Sequence, residues 1–105
     1  MSLVTERIED NVLYLELNGR IDSSNADQAE ELIKAIREAH PNLHSVLDAE
    51  NLEYLSSAGL RVVLRMRKDT ADLKIINVST EVYEILDMTG FTDMLTVEKA
   101  FRRLS

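Results

Sequence analysis

"SVLDAENLEYLSSAGLRVVL", residues 45–64, is the stretch whose reading decides the fold. Its start belongs to "LHSVLDAE" (43–50), an apolar-centred run that predicts a short strand. Its end, continued through "RMRK", predicts a helix: at ~100° per residue, Gly59, Leu60, Val62, Val63, Leu64 and Met66 cover one broad apolar arc. Between the two, "LDAENLEYLSSAG" reads as a loop that leaves the carboxyl end of a strand and enters a helix N-terminus. A strand followed by a helix needs a crossover to its next strand, and hence a parallel sheet. In open sheets of this kind, functional sites gather beyond the carboxyl ends of the strands.

The two serines in that loop divide by direction. Ser57, Arg61, Arg65 and Lys68 fall together opposite the apolar arc, whereas Ser56 turns toward the strand and suits an N-cap. Arg67 falls near the apolar side and is expected to snorkel. A helix N-terminus has unpaired N–H groups and a partial positive charge, so a phosphate on Ser57 would not oppose the fold. Two readings stay open on these residues alone. Either both serines cap the helix and the basic arc is a solvated face, or Ser57 carries a signal.

The same patterning extends outward. "LVTERI" (3–8) and "NVLYLELNG" (11–19) predict two strands joined by the polar turn Glu9-Asp10-Asn11, with Gly19 ending the second. Leu13, Leu15 and Leu17 share one face of it, and Val12, Tyr14 and Glu16 the other. "SSNADQAEELIKAIREAH" (23–40) carries Ala26, Ala29, Leu32, Ile33 and Ile36 at helical spacing. Ser24 is its expected N-cap, Asp27 suits its first turn and Pro41 stops it. Toward the C-terminus, "LKIINV" (73–78) predicts a buried strand and "STEVYEILDMTG" (79–90) a capped helix ending at Gly90. "MLTV" (94–97) predicts a last short strand and "VEKAFRRL" (97–104) a terminal helix. The order ββαβαβαβα gives an α/β fold in one domain over residues 1–105. Its sheet is mixed and mostly parallel, with about five strands, an antiparallel opening pair and about four helices.

Composition narrows the function. A chain of 105 residues builds one core, and an apolar share of 45% is that of a folded domain. The absence of cysteine excludes disulfides, thiolate metal sites and a cysteine nucleophile. "MSLVTERIEDNV" has no apolar core of a secretory signal, and no apolar run approaches the ~20 residues that span a bilayer, so the cytoplasm is the expected compartment. The net charge of −7 argues against nucleic acid and anionic lipid as partners. Residues 1–53 hold four Lys and Arg against twelve Asp and Glu, so any electropositive surface starts at Arg61. The three glycines are scattered and form no phosphate loop. His40 and His44 have no accompanying ligand cluster, so neither metal nor cofactor is expected. Glu30, Glu31 and Glu38 read as a solvated helix face, with Glu30 and Lys34 at i,i+4. No nucleophile–base pair stands out, so the signatures of an enzyme are thin and catalysis is not expected.

Three stretches carry a resemblance: "LELNGRIDSSNADQ", "SVLDAENLEYLSSAGLRVVL" and "GFTDMLTVEKAF". Over its whole length the chain resembles a STAS domain of the anti-sigma factor antagonist type. The resemblance implies a small regulatory protein that, unphosphorylated, binds an anti-sigma factor which is also a serine kinase, and so releases a sigma factor for transcription. The kinase phosphorylates a serine at the start of the second helix, which breaks the complex, and a serine phosphatase restores it. Anchored on Gly59-Leu60, the acceptor falls on Ser57, with Ser56 as second choice. "GRIDSSN" matches the neighbouring contact loop, with Asp22 at the family's acidic position. Asp22, Ser23, Ser24, Ser56, Ala58, Gly59, Arg61 and Arg65 are the expected partner surface. Neither nucleic acid binding nor membrane insertion is implied, and the domain is expected as a monomer or weak dimer. A second reading makes it a constitutive STAS subunit of a stress-signalling or lipid-transport assembly, in which Ser57 is a plain helix cap.

Overall fold

Asp10 and Asn11 both adopt positive φ, 51° and 64°. That conformation matches the twist of an antiparallel pair, and Asp and Asn tolerate it better than most residues. The turn joins strand β1 (Val4–Glu9) to β2 (Val12–Ile21), which pair antiparallel from Val4↔Leu17 to Glu9↔Val12. The rest of the chain follows as α1 (Ala26–Ala39), β3 (His44–Leu55), α2 (Ser57–Asp69), β4 (Lys74–Val78), α3 (Thr80–Met88), a 3₁₀ turn (Phe91–Asp93) and β5 (Thr96–Lys99). This computed structural model describes residues 2–100.

The five strands lie in the order β1-β2-β3-β4-β5, with β2 to β5 mutually parallel. Each parallel step moves one strand in the same direction, so right-handed crossovers place all three α-helices on one face. The packing agrees: Leu13, Leu15, Leu17, Leu47 and Ile75 of the sheet share one core with Ala29 and Ile33 of α1, Val62, Val63 and Met66 of α2, and Val82 and Leu86 of α3. Fully burying a leucine contributes about 1.5–3 kcal/mol, so this face supplies most of the stability.

The helix-free face is polar and hydrogen-bonded. Asp48, only 2% exposed, accepts from Arg7 (3.0 Å), Asn77 (3.1 Å) and the Glu50 backbone N–H (3.0 Å). Arg7 also donates to Glu16 at 2.7 Å. Burial opposes the Arg7 charge, but hydrogen bonds to Asp48 and Glu16 and the charges of Asp48 and Glu9 outweigh it and raise its pKa.

Four boundaries depart from the pattern-based expectation. Gly19 does not end β2; at φ 76° it sits at a register shift, and the strand continues to Ile21. β3 does not stop near Glu50 but runs to Leu55, so most of the expected loop is strand. Ser24 does not cap α1; Asn25 holds that position. Val97–Lys99 belong to β5 rather than to a terminal helix, and the rest of that expected helix, from residue 101, lies outside the described residues. The described helices are therefore three α-helices and one 3₁₀ turn rather than four α-helices.

Candidate functional site

The sequence-predicted residues meet where β2 and β3 end. Ile21 pairs with Leu55, and the next backbone N–H, that of Ser56, donates to the Ile21 carbonyl at 3.0 Å. This bond holds the loop after β2 against the start of α2. Gly59 makes the approach sterically possible. A Cβ there would lie 2.9 Å from both the Ile21 carbonyl oxygen and Leu55 Cδ2, closer than real contacts permit. Gly59 is buried, so it lies beneath the expected partner surface rather than in it.

The serines separate as their directions predict. Ser56 is extended (φ −84°, ψ −179°), and its side chain accepts from the Gly59 N–H at 3.5 Å as the N-cap of α2. Ser57 is the first residue of the helix and is exposed. Ala58 beside it is half-buried. Arg61 is exposed, and no carboxylate among the described residues ion-pairs with it. Arg65 is committed elsewhere: its Nη1 meets Glu30 Oε1 of α1 at 2.8 Å. Arg67 reaches back across the apolar edge and donates to the Met94 carbonyl at 2.6 Å.

Asp22 heads a turn that leads into α1. Its Oδ1 accepts from the Ser24 hydroxyl (2.6 Å) and the Ser24 N–H (2.9 Å). These two bonds, with the nearby Arg20 charge, outweigh desolvation and hold the Asp22 carboxyl below its ordinary pKa. Asp22 is thus an anion at neutral pH, flanked by the exposed Ser23 and Ser24.

One part of the site escapes sequence reading. The Arg20 guanidinium lies over the Tyr54 ring at 4.4 Å on the helix-free side of the same strand ends. Tyr54 was obscured because "NLEYL" does not alternate. β3 spends two extra residues against β2, between the pairs Glu16↔Asp48 and Asn18↔Asn51 and between Gly19↔Leu52 and Arg20↔Tyr54. Leu52 and Leu55 therefore both point inward although three residues apart.

The histidines do not converge. His40 meets Glu6 at 3.1 Å and His44 lies 3.9 Å from Asp72. No three potential metal-ligating side chains gather among the described residues. A cleft of about 340 Å³, lined by Lys34, Arg37, Glu38, His40 and Asp69 among others, lies by the C-terminus of α1, and neither Ser56 nor Ser57 lines it. Arg37 in the last turn of α1 sits where a helix C-terminus favours positive charge. No described helix is long and apolar enough to cross a membrane.

The chain and its fold have counterparts among known proteins. A protein named as an anti-sigma factor antagonist, BtrV, of Bordetella bronchiseptica is 34% identical over 102 residues, spanning 92% of this chain and 85% of its own. An anti-sigma F factor antagonist of Paenibacillus polymyxa is 26% identical over 90 residues, 82% of this chain and 77% of its own. The crystal structure of a protein described as an anti-sigma factor antagonist from Thermotoga maritima superposes with a TM-score of 0.80 at 17% identity. It covers 91% of this chain and 86% of its own, a likeness of fold. The STAS domain model matches residues 4–104, nearly the whole chain, which therefore belongs to the STAS domain family.

Proposed function

We propose that this protein is an anti-sigma factor antagonist switched by phosphorylation of Ser57. In the unphosphorylated state it binds an anti-sigma factor that is also a serine kinase, which frees a sigma factor for transcription. The kinase modifies Ser57, the complex separates, and a serine phosphatase returns the protein to its binding form. The observation that carries the reading is Ser57 itself. It is an exposed hydroxyl in the first turn of α2, released from capping duty by Ser56, in a chain 34% identical to a protein named as an anti-sigma factor antagonist.

The surface offered to the partner comprises Asp22, Ser23, Ser24, Ser56, Ala58 and Arg61, with Gly59 supporting it from below. Arg65 contributes at its edge, where Glu30 already neutralises it. A phosphate on Ser57 adds about −1.5 to −2 charges and three acceptor oxygens. It enters a surface already holding the Asp22 anion and draws on Arg61, one turn further along the helix. Desolvating such an imperfectly paired dianion costs several kcal/mol, enough to weaken binding about a thousandfold.

The test is incubation with the cognate anti-sigma factor kinase and ATP, followed by phosphate mapping by mass spectrometry. Label is expected on Ser57; label on neither Ser57 nor Ser56 rules out the switch. Ser57→Ala is expected to keep partner binding and lose its regulation, and Ser57→Asp to bind more weakly.

A further inference from the structure

The turn between β2 and α1 is bound together by its own side chains. Asp22 Oδ1 accepts the Ser24 hydroxyl and backbone N–H, at 2.6 and 2.9 Å. The Asp22 N–H donates to Asn25 Oδ1 at 2.9 Å, and Asn25 Nδ2 donates to the Arg20 carbonyl at 2.9 Å. The Asp22 carbonyl accepts from the N–H groups of Asn25 (3.1 Å) and Ala26 (2.9 Å).

This wiring has a cost in the helix that follows. Asn25 stands at the N-cap of α1, and asparagine is among the best capping residues. Its side chain makes no capping bond, because both ends of the amide serve the turn. Ser24, the other residue suited to cap, is likewise turned back onto Asp22. Two side chains that could cap α1 are thus engaged in the turn, Asn25 on its backbone and Ser24 on the Asp22 carboxylate. Among the described residues nothing bonds to the second oxygen of that carboxylate, Oδ2, which remains available to a partner.

We propose that Ser24 is a positioning residue: with Asn25 bracing the turn, its hydroxyl holds the Asp22 carboxylate in one orientation on the partner surface, leaving Oδ2 as the acceptor that the anti-sigma factor meets. The role in binding rests on the proposed function above; the local role does not. An acceptor oriented before encounter loses less rotamer freedom on binding, so its contact converts more fully into affinity. The sequence-based expectation placed Ser24 in contact with the partner. In this assignment its part in that surface is to hold Asp22.

The test has two arms. In the first, the Asp22 side-chain carboxyl is titrated by carbon-detected NMR in the wild type, Ser24→Ala and Ser24→Thr. Arg20 is the charged neighbour acting on Asp22 and is unchanged in all three proteins. Removal of the hydroxyl is expected to raise the Asp22 midpoint toward the ordinary aspartate value, and threonine to restore it. An unchanged midpoint in Ser24→Ala overturns the proposal, and a purely structural role for Ser24 gives no threonine-dependent recovery. In the second arm, affinity for the cognate anti-sigma factor is measured by calorimetry. Ser24→Ala is expected to bind about tenfold more weakly, the scale of one hydrogen bond to a charged group, with Ser24→Thr near wild type. Equal affinity of Ser24→Ala and wild type removes the binding role. Wild-type protein that binds no anti-sigma factor overturns the proposed function and the binding role, while the first arm still decides whether Ser24 holds Asp22.

Discussion

Ser56 and Ser57 are chemically identical neighbours whose difference lies in backbone direction alone. Ser56 is extended and caps, whereas Ser57 is helical and exposed. Ser56→Ala is therefore expected to cost about 0.5–1 kcal/mol, the lower part of the capping range because its bond is long at 3.5 Å. Ser57→Ala is expected to stay within about 0.5 kcal/mol of wild type, and urea unfolding of both variants checks the pair. Gly59 is under a harder constraint. Alanine gains up to ~1 kcal/mol of helix propensity, but its Cβ meets the Ile21 carbonyl and Leu55 at 2.9 Å. We expect Gly59→Ala to be a net loss of about 1–3 kcal/mol by the same measurement, the usual scale of overpacking. Asp22 adds a pH dependence. Folding lowers its pKa, so its contribution to stability is present above the ordinary carboxylate value and is lost as pH falls through the folded value. Any stability difference between wild type and Ser24→Ala should accordingly be larger at about pH 6 than in acid, shrinking as Asp22 becomes protonated in both. A difference that grows on acidification contradicts this.

At the scale of elements, legibility follows periodicity. Leu13, Leu15 and Leu17 alternate cleanly and are buried as read. The wheel of α2 correctly placed Val62, Val63 and Met66 inward and Ser57, Arg61 and Arg65 outward. Ser79 and Gly90 mark the ends of α3 as expected, the first as its cap and the second at φ 83° just beyond it. The reading failed where a local device broke the period. β3 carries two extra residues against β2, and this hid the strand in "NLEYL" and the Arg20–Tyr54 stack with it. Gly19 signalled a stop because glycine commonly ends a strand, whereas here its positive φ absorbs the adjoining register shift. Ser24 signalled a cap because no sequence pattern reveals that a nearby carboxylate competes for its hydroxyl. The role of Gly19 can be checked directly. An added Cβ meets nothing within 4 Å, so any penalty arises from backbone strain alone. Gly19→Ala should lose about 1–2 kcal/mol, the cost of a left-handed L-residue. A thermal melt indistinguishable from wild type would show that the strand can shift without the bend.

Across the whole molecule, the core and the proposed signalling surface occupy different places. The core lies between the sheet and its three helices, and the Arg7–Glu16–Asp48 network lies on the opposite face. The serine surface belongs to neither; it sits on the rim where β2 and β3 end, joined to the fold by the Ser56–Ile21 bond and the close approach at Gly59. Charge added at Ser57 therefore reaches solvent without entering the core, at a helix end whose dipole favours an anion. This arrangement predicts a switch that alters binding and leaves the fold in place. Phosphorylated protein, or Ser57→Asp where phosphorylation is incomplete, should melt within about 4 °C of wild type, equivalent to less than ~1 kcal/mol in a domain of this size. Backbone amide NMR should show shifts confined to residues near the end of β2, the Asp22 turn and the first turns of α2. The amides of Leu13, Leu15 and Leu47 at the centre of the sheet should keep their positions. Shifts spreading through those leucines would mean that the phosphate repacks the core, and local charge would no longer account for loss of the partner.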